Sequence, residues 1–185
     1  NVIDQLGVER YEPPVPASSG GNFVTPPSLY APKFDIESFQ KFMILFATGE
    51  PVVITEKLHG SSSRYCLAPN KDGELTQYCG TRVNWIGDDD KNWWWHAYRQ
   101  CPAIGEWCRA NPDKVIYGEI FGGTQTLRYG SKPGQFFFAA FAILEKDRWL
   151  DFDDAYASAK AHNVPWVPIL YRGPFDKDQA LALAE

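Results

Sequence analysis

The chain has 185 residues, of which 44% are apolar and 22% are charged. This mixture is typical of a globular domain with a core, and it excludes a chain that is disordered throughout. No apolar run reaches the ~18 residues of a bilayer span, so we expect no contact with a membrane. The net charge of −5 argues against binding nucleic acid through a global basic field and leaves room for a local basic patch.

The N-terminal part changes character at residue 33. Residues 11–32 are rich in Pro, Gly and Ser, which cannot sustain a helix or a central strand. We therefore predict an extended arm or interdomain linker over residues 1–32 and a folded domain over residues 33–185. At the start of that domain, apolar residues at helical spacing predict a helix from Ile36 to Ala47 that ends at Gly49.

The rest of the chain alternates strands and helices. Strands are predicted, in order, over residues 52–54, 64–67, 75–79, 115–121, 135–144 and 167–171. A turn sequence separates the second strand from the third, so the first three strands are most simply interpreted as antiparallel neighbours. Helices are predicted over residues 91–110 with a break at Pro102, over 151–161, and from 176 onward. The pattern indicates an α+β fold with a twisted antiparallel sheet and flanking helices.

The cysteines give a prediction about the compartment. Their spacing shows neither the CxxC pairs nor the Cys/His clusters of zinc sites. We therefore expect reduced and mostly buried thiols in a cytoplasmic protein. The first eight residues also lack the basic and apolar regions of a secretory signal.

The densest polar cluster follows the first predicted strand. There Glu56, Lys57 and His59 precede a glycine and three serines. Desolvation or a neighbouring cation lowers the pKa of a lysine, and the neutral amine can then attack carbon or phosphorus. A solvated lysine that blunts a strand edge is the alternative interpretation.

Two later strands carry further candidate residues. Glu119 lies in an apolar strand just before a double glycine. A carboxylate on a buried face costs free energy unless it is paired or faces a ligand hydroxyl or a metal, whereas on an edge strand it can simply face solvent. The phenylalanine-rich segment 135–143 is typical of a buried strand, and one of its rings could instead stack on a base.

Together these segments resemble the covalent nucleotidyltransferase superfamily. Lys57-Leu58-His59-Gly60, preceded by Glu56, is similar to motif I of ATP-dependent ligases and capping enzymes. Its histidine and the serines that follow are similar to RNA ligases rather than DNA ligases. Gly80-Thr81-Arg82 resembles the short arginine motif of these enzymes, and segments 117–122 and 138–143 resemble motifs III and IIIa. The implied fold is the twisted antiparallel-sheet nucleotidyltransferase domain.

The resemblance implies a role for each of five residues. Lys57 would attack the α-phosphorus of ATP, expel pyrophosphate and carry AMP on its amine. Glu56 would flank the adenine, and Arg82 would hold the ribose or phosphate side. Glu119 would accept a ribose hydroxyl, and Phe138 would stack on adenine. Mg²⁺ or Mn²⁺ would offset charge on the phosphate oxygens, at ligands that the resemblance does not identify.

The function implied by the resemblance is that of an ATP-dependent RNA ligase. AMP would pass to the 5′-phosphate of RNA, and a 3′-hydroxyl would displace it to seal a nick during RNA repair. The expected protein is a monomer with an upstream OB module that acts on nicked duplex RNA. Motifs IV and V do not appear before Glu185, so we expect the domain to be incomplete at its C-terminus.

Three alternatives stay open at this point. A DNA ligase or a GTP-using capping enzyme would share the lysine motif. A nucleotide-binding or RNA-binding module that has lost catalysis would also share it.

Overall fold

Strands and short helices alternate through the computed structural model, which describes residues 22–123 and 126–183. In chain order the elements are α1 (Phe39–Phe42) with a 3₁₀ turn (Met43–Leu45), β1 (Pro51–Thr55), β2 (Ser61–Pro69), β3 (Leu75–Thr81), β4 (Trp85–Ile86), α2 (Trp93–Gln100), α3 (Pro102–Ala110), β5 (Lys114–Gly122), β6 (Phe136–Glu145), β7 (Arg148–Trp149), α4 (Phe152–Ala161), β8 (Ile169–Pro174) and α5 (Lys177–Ala182). The predicted α+β class with antiparallel sheets is confirmed.

The strands form two antiparallel sheets among the described residues. The larger sheet has the order β4-β3-β2-β5-β6-β7, and the smaller sheet pairs β1 with β8. The predicted hairpin is confirmed, because β2 and β3 are neighbours with Tyr65 opposite Cys79. The predicted place of the first strand beside them is wrong, since β1 pairs with β8 from Pro51 opposite Pro174. The polar segment 56–60 between β1 and β2 carries the chain from one sheet to the other.

The larger sheet has two different faces because side chains alternate along a strand. One face, which we call the helix face, carries Tyr65, Ile120 and Phe138 and packs against α2, α3 and α4 around Trp107, which is fully buried. The opposite face, which we call the arm face, carries Arg64, Tyr117, Glu119 and Ala139; Arg64 is opposite Tyr117, and Glu119 is opposite Ala139. Glu119 therefore lies on the side of the sheet away from the helical core.

The described part of the predicted arm lies against the arm face. Phe23 forms a bridge with Ile86 at the sheet edge, and Leu29 and Ala31 pack against a buried cluster that includes Tyr117. Residues 1–21 of the predicted arm lie outside the described residues.

The helical predictions hold where a helix finds a buried face. Pro102 divides the predicted 91–110 segment into α2 and α3. The predicted helix over residues 36–47 is mostly wrong, because only α1 and the 3₁₀ turn form and Ile44 in that turn is 90% exposed. No helix in the described parts of the chain is both long and apolar enough to cross a membrane. The cysteines are free thiols as expected, and burial raises the pKa of Cys108 to about 12.

Arg64 fastens the arm to the sheet. Its guanidinium donates hydrogen bonds to the carbonyl oxygens of Ala31, Pro32 and Val83. The same group lies 4.4 Å from the ring centroid of Trp85, in a cation–π contact. The residue is 4% exposed, so three backbone acceptors depend on one buried side chain.

Arg64→Ala is predicted to lower the free energy of unfolding by about 3 kcal/mol, because it leaves buried carbonyl groups without donors and removes the cation–π contact. Urea denaturation measures the change. Arg109→Ala, at an exposed position at the end of α3, is the matched control and should stay within about 0.5 kcal/mol of the wild type. Equal stabilities of the two variants would contradict the role given to Arg64.

Candidate active site

Lys57 lies where the two sheets meet. It is exposed and follows the last residue of β1 by two positions. The backbone N–H of Glu56, a half-buried residue, donates to the carbonyl oxygen of Pro168 at 2.9 Å. On the other side of the lysine, Leu58 is buried with Ala139 and Val167. The lysine is thus held in solvent between two anchored neighbours.

Gly60 brings this loop against β5. A Cβ atom at this position would lie 2.1 Å from the carbonyl oxygen of Ile120 and 2.9 Å from Cγ of Glu119. The backbone N–H of Gly60 also donates to the Glu119 carboxylate. Since any side chain here would collide with backbone, a glycine is required for the close approach of the lysine loop to Glu119.

Glu119 is the carboxylate that faces this loop. Burial raises its pKa to about 7, while the positive charge of Lys57 and the N–H of Gly60 act in the opposite direction. Its cross-strand neighbours are small, with Ser62 on β2 and Ala139 on β6. Lys57 is therefore close enough to act on Glu119 through its charge, and the half-buried Glu119 has small side chains on both neighbouring strands.

The structure does not place Phe138 in this site. Phe138 is 2% exposed on the helix face, and its ring meets that of Tyr65 edge-on at 5.3 Å. A ring on that face cannot stack on a ligand that contacts Glu119, so the predicted role of Phe138 is wrong. The half-buried Phe141 lies on the arm face instead, in contact with the cluster of Leu58 and Ala139 and with its ring 4.9 Å from that of Phe34.

Arg82 lies in an exposed position after β3. Its guanidinium forms an ion pair with the carboxylate of Asp35 in the segment before α1. Among the described residues, no hydrogen bond or ion pair is recorded between Arg82 and either Lys57 or Glu119. Its predicted role toward the ribose or phosphate therefore stays a prediction.

Tyr129 belongs to the site and was missed by the sequence prediction. Its hydroxyl oxygen accepts the backbone N–H of His59 at 2.8 Å. Its ring meets that of Phe121 edge-on at 5.1 Å. Tyr129 has a positive φ of 49° and lies in a loop without apolar periodicity, so no sequence pattern connects it with His59.

A divalent metal has no evident ligand set in the described residues. Across residues 22–123 and 126–183 there is no group of three or more His, Cys, Asp or Glu side chains that could hold a metal ion. Glu119 alone does not make such a site. The metal expected from the resemblance is therefore not assigned to side chains of this part of the chain.

The antiparallel two-sheet α+β fold, in which an exposed lysine follows the first strand and lies near a half-buried glutamate, is that of a nucleotidyltransferase domain. The RNA ligase family model matches residues 50–185, and the chain belongs to this family. No curated protein sequence matches the chain.

Solved structures of Naegleria gruberi RNA ligase are similar to this chain. The form with PPi matches with a TM-score of 0.75 at 26% identity, and the match covers 99% of this chain and 56% of the Naegleria chain. A variant with ATP and Mn has a TM-score of 0.73 at 27% identity, covering 98% and 55%. A variant with AMP and Mn has a TM-score of 0.73 at 26% identity, covering 98% and 56%. The chain thus spans just over half the length of these structures.

Lys57→Met is predicted to raise the pKa of Glu119 above about 7, because removal of a nearby positive charge disfavours the carboxylate. Carboxyl ¹³C NMR, followed through a pH titration, measures the change. Lys71→Met, in the exposed turn between β2 and β3, is the matched control and leaves the Glu119 titration unchanged. An equal Glu119 pKa in Lys57→Met and in the wild type would show that the two groups do not interact.

Proposed function

We propose that this chain is the adenylyltransferase domain of an ATP-dependent RNA ligase. The observation that carries the proposal is the placement of an exposed Lys57 beside Glu119 by the close approach of Gly60 to β5. Membership of the RNA ligase family and the presence of ATP or AMP in solved relatives support it.

The first step forms a covalent adduct on the lysine. The neutral Nζ of Lys57 attacks the α-phosphorus of ATP, a P–N bond forms, and the bond from that phosphorus to the bridging oxygen breaks. Pyrophosphate leaves with the electron pair, and the nitrogen loses its proton to solvent. Glu119 accepts a hydrogen bond from a ribose hydroxyl and so orients the nucleotide for this attack.

The next steps transfer AMP and seal the strand. An oxygen of the RNA 5′-phosphate attacks the phosphorus of the adduct, the P–N bond to Lys57 breaks, and the leaving nitrogen takes up a proton from solvent. The 3′-hydroxyl of the neighbouring strand then loses its proton to solvent as it attacks the activated 5′-phosphate, forms the phosphodiester bond and releases AMP. Each step exchanges one bond at phosphorus for another, so no oxidant or reductant is required.

Several finer parts of the proposal rest on the resemblance. They are nicked duplex RNA as the substrate, a monomeric protein, a cytoplasmic location and an upstream OB module. Mg²⁺ or Mn²⁺ is included because manganese accompanies nucleotide in solved relatives, and such an ion neutralises charge on phosphate oxygens.

The nucleophile is tested with ATP labelled at the α-phosphate, using the complete protein as its gene encodes it and no RNA. We expect a covalent AMP adduct that is lost in Lys57→Ala, because Lys57 is the lysine whose charge acts on Glu119. Lys91→Ala, which removes an exposed lysine before α2, is the control that keeps the adduct.

Three results would contradict this assignment. An adduct that persists in Lys57→Ala would place the chemistry on another residue. Absence of an adduct with any nucleotide would favour a binding module without catalysis, and an adduct formed with GTP but not with ATP would favour a capping enzyme.

The adenine contact is assigned to Phe141 in place of Phe138. Loss of a stacking ring costs about 1–3 kcal/mol, so Phe141→Ala should raise the ATP concentration for half-maximal adduct formation about tenfold. Phe141→Tyr, which keeps a ring, should stay near the wild type. Phe138→Ala should instead lower the free energy of unfolding by about 3–5 kcal/mol, measured in urea. An unchanged ATP dependence in folded Phe141→Ala would contradict the assignment.

A further inference from the structure

We propose that Arg128 and Lys132 bind phosphate groups of the RNA strand beside Lys57. This inference rests on the proposed function and locates part of the RNA path, which that function leaves open. It concerns the loop of residues 126–135 between β5 and β6, which we call the β5–β6 loop.

The β5–β6 loop is attached directly to the lysine segment. The Tyr129 hydroxyl accepts the His59 backbone N–H at 2.8 Å, and the Tyr129 ring packs against the cluster of Leu58 and Val167. Arg128 is the chain neighbour of Tyr129. Its backbone is therefore fixed within one residue of a contact to the Lys57–Gly60 segment.

Hydrogen bonds also fix the other end of this loop. The backbone N–H of Ser131 donates to the carbonyl oxygen of Arg128 at 2.9 Å. The backbone N–H of Lys132 donates to the Gln135 side chain at 3.1 Å. The Gln100 side chain holds the base of the loop, donating to the Gly134 carbonyl at 3.0 Å and accepting from the Phe136 N–H at 2.8 Å. A backbone held in this way lowers the ordering cost of binding a ligand.

The two cations of this loop have no acidic partner among residues 22–123 and 126–183. Arg128 and Lys132 are both exposed, and none of the ion pairs recorded for the described residues involves either of them. The Tyr129–His59 hydrogen bond joins the loop that carries these two cations to the loop that carries Lys57, which makes a local group of basic residues on a chain whose net charge is −5. Such a local group can bind phosphate where the chain as a whole repels it.

Because the side chains of Arg128 and Lys132 are exposed, they are better placed to bind an RNA strand than to bind ATP. A nucleotide whose ribose contacts the half-buried Glu119 lies above the sheet, beside Ser62 and Ala139. The β5–β6 loop lies on the His59 side of the lysine, at the surface, where a polymer can pass. Arg and Lys at such a rim are typical contacts to nucleic-acid phosphates.

The test uses the complete protein and a fluorescein-labelled RNA duplex with one nick that carries a 5′-phosphate. Binding is measured by anisotropy over a range of KCl concentrations, and AMP transfer is measured from a preformed labelled adduct. The variant is Arg128→Ala/Lys132→Ala. The matched control is Lys91→Ala/Arg109→Ala, which also removes two positive charges from exposed positions. Lys91 precedes α2 and Arg109 lies in α3, and both of these helices pack on the helix face.

We expect the loop variant to bind the RNA about tenfold more weakly and to transfer AMP more slowly at subsaturating RNA. The slope of log K against log [KCl] should become shallower by about 1–2, as two phosphate contacts are lost. The control should keep the wild-type affinity and slope.

Three results would overturn the proposal. One is equal binding and slope in the two double variants. Another is a higher ATP concentration for half-maximal adduct formation in the loop variant without a loss of RNA binding, which would assign the loop to the triphosphate. The last is RNA binding unchanged from the wild type while the adduct still forms, which leaves the proposed function intact; absence of any adduct in the wild type would instead reject the proposed function.

Discussion

The closest constraint in the site is the contact between the backbone of Gly60 and β5. A Cβ at Gly60 would lie 2.1 Å from the Ile120 carbonyl oxygen. Only glycine therefore lets the chain pass this close to β5 as it crosses from the small sheet to the large one. That crossing sets Lys57 beside Glu119, and it allows the Gly60 N–H to bind the carboxylate. The proposed nucleophile, Lys57, and the residue proposed to orient the nucleotide, Glu119, therefore both depend on the absence of a side chain at Gly60.

The basic residues near the lysine segment depend on the same part of the fold. The chain carries a net charge of −5, yet the loop with Lys57 and His59 and the loop with Arg128 and Lys132 are joined by the contact of Tyr129 with His59. Glu119 is the acidic group on the other side, and burial raises its pKa to about 7. An acidic domain can thus offer phosphate a small basic surface without a basic field over the whole molecule.

The sequence predicted the parts of the site that are local in the chain. Lys57 and Glu119 lie in contiguous motifs, and each motif is placed by its own strand. Phe138 was misassigned because an uninterrupted apolar run does not tell which residues face which side, and the irregular pairing after Tyr117 shifts the alternation in β6. The partner of β1 and the contact of Tyr129 with His59 are long-range features with no local pattern. The apolar residues of segment 36–47 are largely exposed and do not pack into a core, so their helical spacing did not produce a long helix.

The site of AMP attachment tests the account most directly. The complete protein is incubated with ATP and Mn²⁺, digested with protease and sequenced by tandem mass spectrometry. The account predicts a single AMP group, bonded to Nζ of Lys57. AMP on another lysine or on His59, or a protein that binds ATP without any covalent attachment, would contradict it.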